Sequence, residues 1–273
     1  MNWLSRLIRY MLKFSAFITF AVLFFIIAYI LARGIPYLKP SLFALEYTTE
    51  NVSLLPAIIT TLFMTVLALL VSAPIGIFTG FYLVEYAKSG NKLVEIIRIT
   101  TETLSGIPSI VYGLFGLLFF VTTLGWGFSI IAGAFTLAIM ILPLIIRSTE
   151  EALLAVPDLL REASYGLGAG KLRTIFRIVL PSAMPGILAG IILAIGRIVG
   201  ETAPLIYTAG TGAKIPENLF ASGRTLAIHM YVLSSEGLYT NQAYATAVVL
   251  LVVVIGINTL STSISKILTK MLK

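Results

Sequence analysis

The longest uncharged run of this chain, from Thr103 to Ile146, leaves few folds open. A helix crosses the ~30 Å hydrocarbon core of a bilayer in about 20 apolar residues, so this run alone suffices for two passes. The turn-prone stretch Thr122-Thr123-Leu124-Gly125-Trp126-Gly127 divides them, and a tryptophan there suits a membrane–water interface. Other apolar runs are Phe14 to Ala32, a second within Asn51 to Val84, a fifth from about 184 to 207 that carries Arg197 and Glu201, and a sixth from about 243 to 265. The pattern predicts an all-α, polytopic transmembrane helix bundle of six spans. Composition agrees: 58% of residues are hydrophobic and 11% charged, against roughly 25% charged in soluble domains. A soluble fold of 273 residues could not hide that much apolar surface from water.

The first run follows Arg6, Arg9 and Lys13 as a signal peptide would. It is too long for a signal h-region and lacks a small-residue cleavage site, so it reads as a retained span. Six spans put both termini on one side. Basic residues then sort by loop. Arg6, Arg9, Lys13, Lys88, Lys92, Arg98, Arg147, Arg161, Lys171, Arg173, Arg177, Lys266, Lys270 and Lys273 fall on one side, and only Arg33, Lys39, Lys214 and Arg224 on the other. Short loops rich in Lys and Arg stay in the cytoplasm, which predicts cytoplasmic termini. Glycines four apart (Gly76 and Gly80, Gly186 and Gly190, Gly196 and Gly200) let helix backbones approach closely. Pro74, Pro108, Pro143 and Pro204 are expected to kink their helices.

Several function classes drop out. The net charge of +7 invites nucleic acid, but the basic residues cap apolar runs and form no stripe. Without cysteine, and with His229 as the one histidine, no thiolate or histidine cluster can hold a metal. His229 falls in an outer loop and reads as a surface or satisfied residue. The carboxylates are scattered and form no catalytic dyad, so the chain is not expected to be an enzyme. Gly166-Leu167-Gly168-Ala169-Gly170-Lys171 imitates a phosphate-binding loop, but that motif needs glycine at 165 and Ser or Thr at 172, where Tyr165 and Leu172 stand. Asn51-Val52-Ser53 is a formal glycosylation sequon and carries little weight.

Residues 148–181 form the longest charged stretch. Pro157 ends one helix and Asp158 is placed to cap the next. Leu159, Leu160 and Ala163 share a face of that helix, and Gly166, Gly168 and Gly170 stop it. A short helix held between two spans can pass a push from a soluble partner into the bundle; it can equally rest on lipid as an interfacial helix. Glu162-Ala163-Ser164, Gly168 and then Ile178, Leu180 and Pro181 carry a longer pattern. It resembles the cytoplasmic motif of type I ABC importer permeases: E-A-A, three residues, G, nine residues, I-x-L-P. Ser164 stands where the family has a second alanine. By that resemblance residues 158–168 form a coupling helix that docks in a cleft of an ATP-binding subunit through Asp158, Arg161, Glu162, Ala163 and Ser164, with Gly168 permitting the turn.

Three further segments narrow the resemblance: Gly106-Ile107-Pro108-Ser109-Ile110-Val111-Tyr112-Gly113-Leu114-Phe115-Gly116, Arg147-Ser148-Thr149-Glu150-Glu151-Ala152-Leu153, and Gly196-Arg197-Ile198-Val199-Gly200-Glu201-Thr202-Ala203-Pro204-Leu205. Together they resemble the PstA family of phosphate ABC importer permeases. The resemblance implies an N-terminal span and connector at 1–53, an ABC permease core at 54–273, and the inner membrane of a bacterium. It implies a PstC-like second permease, a PstB-like ATP-binding dimer that holds ATP and Mg with no cofactor in this chain, and a PstS-like periplasmic phosphate-binding protein. Other oxyanions (molybdate, tungstate, phosphonate) and an ATP-independent secondary transporter remain as alternatives.

Arg197 and Glu201 stand apart physically. A charge near the middle of a bilayer costs at least ~2.5–3.5 kcal/mol. Residues four apart on a helix can pair, yet an apolar pair would often be as stable. One reading is an ion pair that locks the bundle. The other is an anion route: the guanidinium fork matches phosphate oxygens, Glu201 positions it and accepts a hydrogen bond from protonated phosphate, and Thr202 adds a hydroxyl.

Overall fold

A computed structural model describes residues 3–87 and 90–271, with side chains through 267. Lys88 and Lys273, used above for orientation, lie outside the described residues, as does the side chain of Lys270. Among the described residues every regular element is helical. Five helical segments are long and apolar enough to span: Trp3–Tyr37, Leu55–Tyr86, Ile130–Leu154, Lys171–Gly200 and Thr240–Ile267. A sixth arises when Lys92–Ser105 and Ser109–Thr123, bent by 102°, count as one broken span.

That bend falls beside Pro108, where a kink in the third pass was expected. Helix α3 (Lys92–Ser105) is capped by the Asn91 side chain, which accepts from the Leu93 amide. It carries Glu95, Arg98 and Glu102, so it cannot enter hydrocarbon cheaply. Pro108 holds Ile107 out of the helical region and lacks an amide hydrogen, so the chain turns before α4 (Ser109–Gly116) enters the bundle. Pro108 therefore precedes a helix and kinks none. Pro204 likewise sits in the first turn of a short helix, whereas Pro74 and Pro143 stay inside theirs.

The centre is α2 (Leu55–Phe81), α5 (Ile130–Leu154) and α8 (Leu180–Gly200). Met64, Leu137, Ile141, Ile145 and Ile198 are buried between them. Two of the expected glycine pairs form the seams. A Cβ on Gly76 would lie 2.7 Å from Ile145 Cγ2, and one on Gly80 2.6 Å from Thr149 Cγ2. Gly186 and Gly190 press in the same way on Ala152 and Ser148 of α5. In lipid such seams replace the hydrophobic drive, because tails are as apolar as side chains. The third pair is different: Gly196 faces Asn258 at ordinary contact distance and Gly200 touches nothing.

Helix α1 (Trp3–Gly34) packs chiefly on the last long helix, α11 (Thr240–Met271), where Tyr29 and Tyr244 stack edge to face at 6.0 Å and Gly34 seats on Tyr244. The chain buries none of its apolar window, against 67% for α5. An all-round apolar helix with no protein partner on most faces belongs in lipid.

Candidate functional site

Two regions carry the chemistry, at opposite ends of one rod. The helix that begins at Lys171 runs through α8 and ends at Gly200. Its charged start gives way to an apolar run at Ile178, and Arg197 lies roughly 28 Å further on at 1.5 Å per residue. That puts it in the far part of a ~30 Å core, toward its edge, further than a span starting near Met184 would place it.

The expected continuous span to residue 207 does not exist. Glu201 has extended backbone (ψ 135°), and a four-residue helix, α9 (Ala203–Ile206), follows Thr202. Non-helical backbone at membrane depth is tolerated only where protein or a water-filled cavity receives it. Here α4 receives it: a Cβ on Gly113 would lie 2.8 Å from the Pro204 Cα. The Thr202 carbonyl accepts from the amides of Leu205 and Ile206. Arg197 still meets Glu201, Nε to Oε1 at 3.5 Å, with the two side chains 35% and 16% exposed. Arg197 thus sits in the last turn of a helix, where a cation suits the dipole. With Asn258 and Leu144 it lines an open cavity of about 540 Å³. The structure brings Arg197, Glu201 and Thr202 to one helix break.

The segment expected to couple to a soluble partner is α6 (Asp158–Gly166). Pro157, not Asp158, occupies the cap position, and Asp158 is the first helical residue. Glu162, Ala163 and Gly168 face outward with Leu159 and Leu167, the last two 72% and 89% exposed. Leu160 is exposed too, so the expected apolar face packs on nothing within the chain. Gly168 takes φ +81°, which the turn after the helix requires. Arg161 and Ser164 point the other way. Ser164 is buried, its hydroxyl 2.8 Å from that of Thr174. Arg161 is 12% exposed and pairs with Glu85 at 2.8 Å; Glu85 itself is 5% exposed. Of the residues expected to dock, Asp158, Glu162, Ala163 and Gly168 therefore face outward, and Arg161 and Ser164 hold α6 on the bundle.

The sequence pattern missed Glu85 and Thr174. Glu85 is the first charge after the second apolar run, the one hint available, and nothing in spacing pairs it with a residue 76 positions away. It also missed Arg224 and misplaced His229. His229 is fully buried on α10 (Leu226–Glu236), and Arg224 is 5% exposed with its guanidinium 4.6 Å from the Tyr47 ring. Burial, then the neighbouring Arg224 charge, lowers the His229 pKa to about 3. No group of three or more His, Cys, Asp or Glu able to hold a metal occurs among the described residues.

The fold and these two regions define a multi-pass membrane permease subunit. Over residues 72–273 the chain matches the family described as binding-protein-dependent transport system inner membrane component, and it belongs to that family. It is 35% identical over 254 residues to a protein of Bacillus subtilis (strain 168) described as "Probable ABC transporter permease protein YqgI", covering 86% of this chain and 84% of that one. It is 34% identical to "Phosphate transport system permease protein PstA" of Haemophilus influenzae, covering 84% and 82%. It is 38% identical to "Phosphate transport system permease protein PstA 1" of Mycobacterium tuberculosis (strain H37Rv), covering 77% and 68%. Among solved structures, a bacterial ABC transporter for import of the acidic polysaccharide alginate superposes with a TM-score of 0.63 at 16% identity, covering 97% of this chain and 99% of that one. The inward-facing methionine transporter MetNI gives 0.60 at 20%, covering 78% and 93%. At those identities the likeness is one of fold, that of type I ABC importer permeases.

Proposed function

We propose that this chain is a permease subunit of an ATP-driven phosphate importer in a bacterial inner membrane, with both termini cytoplasmic. Residues 1–53 supply a peripheral span and connector, and 54–273 the transmembrane core. A PstC-like permease forms the other half of the pathway. A PstB-like dimer binds ATP and Mg and docks on the outward face of α6, and a PstS-like protein delivers phosphate from the periplasm. The chain itself carries no cofactor and catalyses no reaction.

The observation that carries this reading is the Arg197–Glu201 pair at a helix break, beside an open cavity. Discontinuous helices at bilayer depth are where transporters place binding groups. A bare locking pair needs no break, and an apolar pair would serve it as well. The guanidinium fork takes two phosphate oxygens, and Glu201 accepts a hydrogen bond from the hydroxyl of a hydrogen phosphate. The names of the relatives point to the same ligand.

The test is a proteoliposome holding both permeases and the ATPase dimer, with the binding protein added. Phosphate should stimulate ATP hydrolysis and enter the lumen. Competition by molybdate, tungstate or a phosphonate at equal concentration would move the substrate class, and flux without nucleotide would replace the importer reading with a secondary transporter.

A further inference from the structure

Five N–H groups belong to a guanidinium, and in Arg161 all five are engaged. Nε and Nη2 donate to Glu85 Oε1 at 3.1 and 2.8 Å. Nη2 also donates to the Leu153 carbonyl at 3.0 Å. Nη1 donates to the Val156 carbonyl at 2.7 Å and to Asp158 Oδ1 at 3.1 Å. These acceptors belong to separate parts of the fold. Glu85 lies in the π-helical turn Tyr82–Tyr86 that ends α2, Leu153 is in the last turn of α5, Val156 follows it, and Asp158 opens α6. One side chain therefore ties α6 to the ends of α2 and α5.

The tie has a second strand and a load path. Tyr86, next to Glu85, takes the Lys171 ammonium over its ring at 4.7 Å, where the helix leading to α8 begins. From there the glycine seams join α2 to α5 and α5 to α8, and α8 holds Arg197 near its far end. Rigid elements packed with interlocking contacts transmit displacement and do not absorb it.

We propose that the buried Arg161–Glu85 pair is the positioning joint that converts motion of the docked α6 into motion of α2, α5 and α8, and so couples the ATPase to the anion route. The inference rests on the docking reading of α6. It assigns to Arg161 an inward role in place of contact with the ATPase. A pair serving fold stability alone would lower the number of working complexes, and uptake and hydrolysis would fall together. A joint changes their ratio.

The experiment uses the whole reconstituted complex and reads phosphate taken up per ATP hydrolysed, normalised to assembled complex. Glu85→Gln keeps the shape and removes the charge. It should leave the ATPase subunit bound and hydrolysis within twofold, while uptake per ATP falls about tenfold. Arg161→Lys offers three donors from a single point, cannot reach four acceptor groups, and should show the same defect. A proportional fall of uptake and hydrolysis, or an unchanged ratio in both variants, overturns the proposal. Leu167→Asp, on the exposed docking face, separates the two readings. It should release the ATPase subunit. If it does and the Glu85 ratio is normal, the joint alone fails; if the ATPase stays bound, the docking reading fails.

Discussion

Replacing Arg197 by glutamine tests the anion route most directly. Glutamine keeps the aliphatic stem and an amide donor but is shorter and loses the charge and the fork. A hydrogen bond to a charged group contributes about 1.5–3 kcal/mol, and a bidentate phosphate contact makes two. Arg197 is 35% exposed, so solvent screens part of this, and about 3 kcal/mol is a fair figure for the pair. At ~1.4 kcal/mol per decade, phosphate uptake should fall roughly 100-fold. Glu201 would also lose its partner while only 16% exposed, which adds repulsion toward an entering anion. Lysine restores the charge without the planar fork and should recover part of the loss, leaving uptake about tenfold down. The assay is labelled-phosphate uptake into proteoliposomes of matched complex content, with co-purification of the ATPase as the assembly control. Uptake by Arg197→Gln within threefold of the parent, in fully assembled complex, refutes the route and leaves the pair as a structural lock.

Packing and titration give three more outcomes. Gly80→Val pushes a side chain into Thr149 of α5 and should cost about 1–3 kcal/mol by overpacking. A fall in the unfolding temperature of detergent-solubilised protein is the check, and an unchanged one contradicts the seam. Ser164→Val leaves the buried Thr174 hydroxyl, which retains only a 3.3 Å contact to the Gly170 carbonyl, without its better partner. A loss of about 1 kcal/mol is expected, whereas a surface serine would show none. His229, with its pKa lowered to about 3, takes a proton more readily unfolded than folded. Stability should therefore be intact above about pH 6.5 and decline by ~1.4 kcal/mol per unit as pH falls from there toward 3. In His229→Gln that component of the pH dependence should vanish, as unfolding at pH 7 and pH 5 would reveal.

The spans were legible because lipid imposes a rule that composition alone can express: residues 14–32 and 130–154 have no other stable setting than a helix in or beside hydrocarbon. The glycine seams at Gly76, Gly80, Gly186 and Gly190 were legible for a related reason, since small residues four apart are what close helix contact in lipid requires. The identical spacing of Gly196 and Gly200 misled, because the helix stops at Gly200 and no partner backbone is there to approach. That stop is invisible in hydropathy. The run from Met184 to Tyr207 is long enough for an unbroken span, and Pro204, with no amide hydrogen for the Gly200 carbonyl, is the one local sign of a break; the close packing of Gly113 of α4 on Pro204 joins residues some 90 positions apart and has no local sign. Arg161 shows the same limit in α6. A charged residue in an amphipathic helix exposes itself unless something distant satisfies it, and here Glu85, the Leu153 carbonyl of α5 and the Val156 carbonyl just after it do. Which charges the bundle turns inward is decided by acceptors that folding brings together. The inward pair and the helix break both lie on the line from α6 to Arg197, and a transporter worked from outside must be stiff along that line and open at its end.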